Sequence, residues 1–214
     1  MPLQGEGTGF RRFWLAALSL AAAVAGTVAF PHAGAAAGLP RPKDPEAAEQ
    51  VSMLERAEKD EDRIPPIRWL ASQGGAAAVP ALRAVAKGAS PEIQIEVLSA
   101  LEDIKGDEAV AAAGEILVRA QGRKIKLRAL EALDFLAGPK AAKAMARVLS
   151  DADARVQTQA ADRLGHLGEK VVVLDLWKAY RRERDPDVKA MLLEALWRLD
   201  EDVEAEQKKL EADD

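Results

Sequence analysis

The sequence predicts an all-α fold, an α-α superhelix of stacked helix pairs, on three observations. Strand-forming residues are scarce, with three threonines (Thr8, Thr27, Thr158) and one tyrosine in 214 residues, while Ala, Leu, Glu, Lys and Arg dominate. A leucine recurs at Leu70, Leu101, Leu133, Leu164 and Leu196, with spacings of 31, 32, 31 and 32. Around each of these anchors the apolar residues keep spacings of three and four, which places them on one face of an α-helix. A helix pair of that length cannot bury both its stripes alone, so neighbouring pairs must stack. The predicted product is a right-handed α-solenoid of four full units behind a degenerate N-terminal unit.

Composition narrows the chemistry. There is no cysteine, which excludes disulfides, thiolate metal sites and a cysteine nucleophile. Hydrophobic residues make up 49% of the chain, too many for wholesale disorder.

The first element is an address. Arg11 and Arg12 precede an uncharged run from Phe13 to Phe30 that Pro31 ends, and the small-residue sites Ala33-Gly34-Ala35 and Ala35-Ala36-Ala37 follow. Residues 1–37 therefore read as an export signal, cleaved after Ala35 or Ala37, for a periplasmic or secreted protein. The alternative is that residues 13–30 are retained as a membrane anchor, since 18 apolar residues are near the lower limit for spanning a bilayer. The absence of cysteine excludes a bacterial lipoprotein. Cleavage removes Arg11, Arg12 and Glu6, a net +1, and takes the formal charge from −5 to −6. An acidic chain of this kind is a poor nucleic-acid binder.

Residues 38–45 (GLPRPKDP) read as a linker, and 46–74 as a degenerate capping unit in which Pro65-Pro66 precede IRWLASQG and Trp69 covers the exposed end. Four full units follow at 75–106, 107–138, 139–169 and 170–201. Counting from the anchor leucine, their second helices carry apolar residues at −8, −4, −3, 0 and +3. Ile93, Val97, Leu98, Leu101 and Ile104 are one such set, and Val188, Leu192, Leu193, Leu196 and Leu199 another. The first helices repeat a second stripe, as in Val110, Ala113, Ile116, Leu117 and in Ala142, Met145, Val148, Leu149. Ser90-Pro91-Glu92 and Asp185-Pro186-Asp187 place a cap before a proline at the first helical position, and Asp151 or Asp153 serves the third unit. The second unit has only Gly122 as cap, and Gly106, Gly138 and Gly168 mark where second helices stop. Residues 202–214 form an acidic tail, a polar cap for the back of the stack.

LSDADARVQTQAADRLGHLG (149–168) and RDPDVKAMLLEALWRLDE (184–201) resemble the HEAT repeat in its short, phycobilisome-lyase-type form. The resemblance covers about residues 64–201, and is weaker in GASPEIQIEV and QGRKIKLRAL, which lack the Asp pair. It implies a scaffold that binds protein, and it implies little chemistry, because the fold serves adaptors and assembly factors alike. Within that resemblance, bilin lyases are the enzymatic alternative. The paired His-Glu motifs of the di-iron hydroxylases are missing, because the cleaved chain keeps one histidine, His166.

No catalytic residue, cofactor or metal site is assigned. His166, beside a helix end, has no second imidazole for a relay, and no GxxxxGK[ST] phosphate loop is present. What remains is surface. Glu131, Asp162 and Glu194 share position −2 in successive units, an acidic ridge on the second helices, the concave side in HEAT stacks. Phe135, His166 and Arg198 share position +2 with Asp103, and an aromatic flanked by His and Arg has the composition of an interface anchor. These six residues, Glu131, Phe135, Asp162, His166, Glu194 and Arg198, are the candidate partner-binding surface. Arg123, Lys124, Lys126 and Arg128 form a candidate basic turn for an anionic partner or lipid headgroup, or else pair with Glu92 and Glu96. Opposite charges along positions −9 (Glu92, Lys124, Arg155, Asp187) and −5 (Glu96, Arg128) are expected to pair between units, and Trp177 and Trp197 to seal the end of the core. The expectation is a monomeric, non-enzymatic exported scaffold with a protein partner, no nucleic acid, and membrane contact only if the N-terminal segment is retained.

Overall fold

The computed structural model describes residues 38–199. The expected signal or anchor (1–37) and the acidic tail (202–214) lie outside the described residues. Ten α-helices and no strand occur among those described: α1 (Pro45–Arg56), α2 (Asp60–Gln73), α3 (Val79–Val85), α4 (Pro91–Ile104), α5 (Gly106–Arg119), α6 (Arg123–Leu136), α7 (Gly138–Ala146), α8 (Ala154–Leu167), α9 (Val173–Arg182) and α10 (Pro186–Leu199). Short 3-10 turns at Gly75–Ala78 and Lys170–Val172 lead into α3 and α9. Consecutive helices pair, and the second members α2, α4, α6, α8 and α10 each pack on the next. On the other layer α3 meets α5 and α5 meets α7, while α7 meets the turn before α9. Contacts confined to neighbouring pairs make an α-solenoid.

The five anchor leucines are fully buried, as are the −4 residues Val97, Ala129, Ala160 and Leu192. The −8 residues Ile93, Ile125, Val156 and Val188 are buried too, and Ile104, Leu136 and Leu167 at +3 form a half-buried rim. One stripe stops short of its expected helix. Helix α7 ends at Ala146, and Val148 and Leu149 are buried from a tightened turn whose amides donate to Met145 and Ala146 three residues back, at 3.1 and 3.3 Å.

Helix starts follow local chemistry. Ser90 Oγ accepts from the Ile93 amide at 3.3 Å, Asp153 Oδ1 from that of Arg155 at 2.9 Å, and Asp185 Oδ1 from those of Asp187 and Val188 at 2.9 and 3.3 Å. Gly122 offers α6 no side-chain cap. The exits of α4, α6 and α8 all fall at position +4, in positive φ: Lys105 at 62°, Ala137 at 56° and Gly168 at 76°. Gly106 and Gly138 follow at φ 85° and 81°, so in two units the reversal takes two residues and its first carries a Cβ in a conformation that suits glycine.

The N-terminal residues expected to be a linker are fastened to α1. Leu39 is buried, the Gly38 and Leu39 amides donate to Glu55 Oε1 at 3.2 and 3.0 Å, and Arg41 donates to Glu55 Oε2 at 2.7 Å. Helix α2 begins before Pro65-Pro66 and runs through them. Their missing amides leave the carbonyls of Glu61 and Asp62, in the exposed first turn, without the usual donors. Trp69 is half-buried against the core.

Candidate functional site

The outward side of the second helices brings four of the six sequence-predicted surface residues into one cluster. Arg198, near the end of α10, donates from one guanidinium nitrogen to Asp162 Oδ1 at 3.1 Å and from the other to Glu194 Oε1 at 2.6 Å. His166 Nδ1 lies 3.2 Å from the first of these nitrogens, 2.9 Å from the Asp162 carbonyl and 3.2 Å from its carboxylate. A guanidinium only donates, so Nδ1 meets Arg198 with its lone pair or Asp162 with its proton, one at a time. The spacing of α8 and α10 makes the cluster possible. A Cβ on Gly165 would stand 3.0 Å from the Ala195 Cα, so any side chain there would push these backbones apart by a few tenths of an ångström.

Glu131 and Phe135 on α6 stand apart from the cluster. Glu131 lies 3.7 Å from Arg163, which also donates to Asp134 at 2.8 Å. Phe135 is 62% exposed, with Lys105 Nζ 5.7 Å from its ring centroid. The position −2 carboxylates are thus neutralised from within, by Arg163 and Arg198. The face thus carries an exposed aromatic ring with a lysine beside it and, separately, an arginine–histidine–carboxylate cluster. Sequence reasoning missed Lys105, Asp134 and Arg163. Asp134 and Arg163, at +1 and −1 of adjacent units, were findable from the anchor register, whereas Lys105 reaches Phe135 through its positive-φ exit.

The basic turn is largely spent on internal pairs. Arg123 Nε donates to Asp153 Oδ2 and Lys126 Nζ to Asp151 Oδ2, both at 2.5 Å. Arg128 grips Glu102 with two bonds of 2.5 and 2.8 Å and reaches Ser99 Oγ at 3.1 Å. Lys124 is exposed. The partners are therefore Glu102, Asp151 and Asp153 in place of the expected Glu92 and Glu96, and Glu96 pairs with Arg68. Inter-unit pairs run diagonally between register positions, because long side chains reach across the groove to the turn of the next pair. On the first-helix face Arg83 pairs with Glu115, Asp107 with Lys140 at 2.5 Å and Lys143 with Asp175 at 2.7 Å. Trp177 is buried, edge-on to Tyr180 at 5.6 Å, but Trp197 is 52% exposed, against the expectation that both seal the core.

Residues 110–197, from α5 to the last turn of α10, match a family model described as HEAT repeats. That part of the chain is built of HEAT repeats. A comparison with curated proteins gave no match. HEAT repeats point to a helical scaffold or a role in protein interaction, and among the described residues no group of three or more His, Asp or Glu side chains is placed to hold a metal ion.

Proposed function

We propose that this HEAT-repeat protein is a non-enzymatic exported scaffold that binds a protein partner through the face of its second helices. The observation that carries the reading is Phe135. A large apolar ring stands exposed at the middle of the stack, on a helix whose neighbours hold it rigidly, with the Lys105 ammonium near its face. Large apolar side chains near the centre of a rigid surface are the kind of group that anchors protein interfaces. Stacked helices present such side chains at fixed intervals, so a partner meets several units without ordering the receptor. Export rests on the sequence of residues 1–37, with a retained anchor at 13–30 as its alternative.

The test is capture of partners from the exported fraction by the full chain and by Phe135→Ala and Arg198→Ala. Loss of an interface anchor weakens binding by about 30-fold, corresponding to about 2 kcal/mol, with thermal stability unchanged. Equal capture by all three proteins rejects this face. The intact mass of the exported form should begin at Ala36 or Gly38.

A further inference from the structure

The back end of the stack leaves several rows of inter-unit contacts unfinished. At position +1, Glu102 meets Arg128, Asp134 meets Arg163, and Gly165 lies against Ala195 and Arg198, each in the following unit. The fourth member of that row is Trp197, 52% exposed. At position −7, Gln94 stays on the Ala89 carbonyl of its own unit, whereas Lys126 meets Asp151 and Gln157 donates to Glu183 at 3.1 Å, both carboxylates of the following unit. The next member is Lys189, whose ammonium lies 4.8 Å from the Tyr180 ring centroid and has no carboxylate partner among the described residues. On the first helices Asp107 reaches Lys140 and Lys143 reaches Asp175 in the units that follow. Their register equivalents in the last unit are Lys170 and Leu174, the latter 63% exposed. The end face therefore combines two lysines with two large apolar side chains.

We propose that the chain's own segment 200–214 docks on this end face. Its sequence, DEDVEAEQKKLEADD, has eight carboxylates against Lys208 and Lys209, and its larger apolar residues, Val203 and Leu210, stand seven positions apart. The acidic charge complements Lys170 and Lys189, and the apolar pair matches Leu174 and Trp197. The segment follows α10 directly, so attachment to the chain supplies a high effective concentration and a weak contact suffices. This docking is independent of the partner face around Phe135.

Acrylamide quenching of Trp197 in the full chain, taken as the difference between the protein and its Trp197→Phe variant, reads the contact. Trp197 should be protected at low salt. Val203→Asp with Leu210→Asp, Lys170→Glu with Lys189→Glu, or 1 M salt, where the Debye length is about 3 Å, should each raise its quenching about threefold. Circular dichroism should stay unchanged. Equal quenching in all these proteins overturns the proposal. So does protection that vanishes on dilution together with a dimer in light scattering, because a second copy would then be the occupant.

Discussion

Ala137 holds φ at 56° with ψ near 180°, a conformation almost reserved for glycine, at the exit of α6. Ala137→Gly should stabilise the protein by about 1 kcal/mol in urea unfolding, relief of strain exceeding the entropy that glycine adds to the unfolded chain. The equivalent Lys105 is less suited to this test because its side chain also lies over Phe135. Acid sensitivity is likewise set by single residues. The hydrogen bond from Arg123 holds the Asp153 carboxyl below its ordinary range, and Arg41 does the same for Glu55. A carboxyl depressed on folding contributes stability above its unfolded pKa, near 4, and loses it as pH falls through the folded value. The melting temperature should therefore drop below about pH 4. Asp153→Asn, which keeps the cap acceptor and removes the charge, should flatten that drop, and an unchanged acid slope would show that Asp153 is not its source. At this scale the sequence was half legible. Side-chain caps announce themselves by residue type, whereas Ala137 and Lys105 are forced into positive φ by the tight passage into the next helix, which no property of alanine or lysine signals.

Among the elements, α4 and α8 expose the two devices that fix helix position. Ser90 satisfies an amide at the start of α4, and Ser90→Ala should cost about 1 kcal/mol in chemical denaturation. Gly165 sets the approach of α8 to α10, and Gly165→Leu should cost about 3 kcal/mol by overpacking while disordering the Arg198 cluster. A wild-type melting curve for that variant would mean that the helices separate without penalty. The second helices were readable to within a residue or two, because leucine, valine and isoleucine at spacings of three and four leave one solution. First helices were less so: α7 gives up its last turn to a 3-10 bend, with the same residues buried by a different backbone. Charge pairing was misread because position in the repeat was treated as contact. Arg128 looks back to Glu102 while Lys126, two residues away, looks forward to Asp151.

For the molecule as a whole, fold and candidate site were legible to different depths. The 31–32-residue period determined the stacked pairs, and the family match over residues 110–197 agrees with it. The same register placed Asp162, His166, Glu194 and Arg198 together, but showed an acidic ridge where arginines neutralise the carboxylates, because registers align residues without revealing which side chains bend toward one another. If partners dock on the second-helix face, a bound partner lies within reach of residue 135. A photo-crosslinking amino acid at position 135, compared with one at position 111 on the first-helix face, tests it in cells producing the full chain. A discrete crosslinked protein is expected from position 135, lost when Arg198 is replaced by Ala, and none from position 111. Crosslinks from position 111 alone would contradict it and move the interface to the opposite side of the stack.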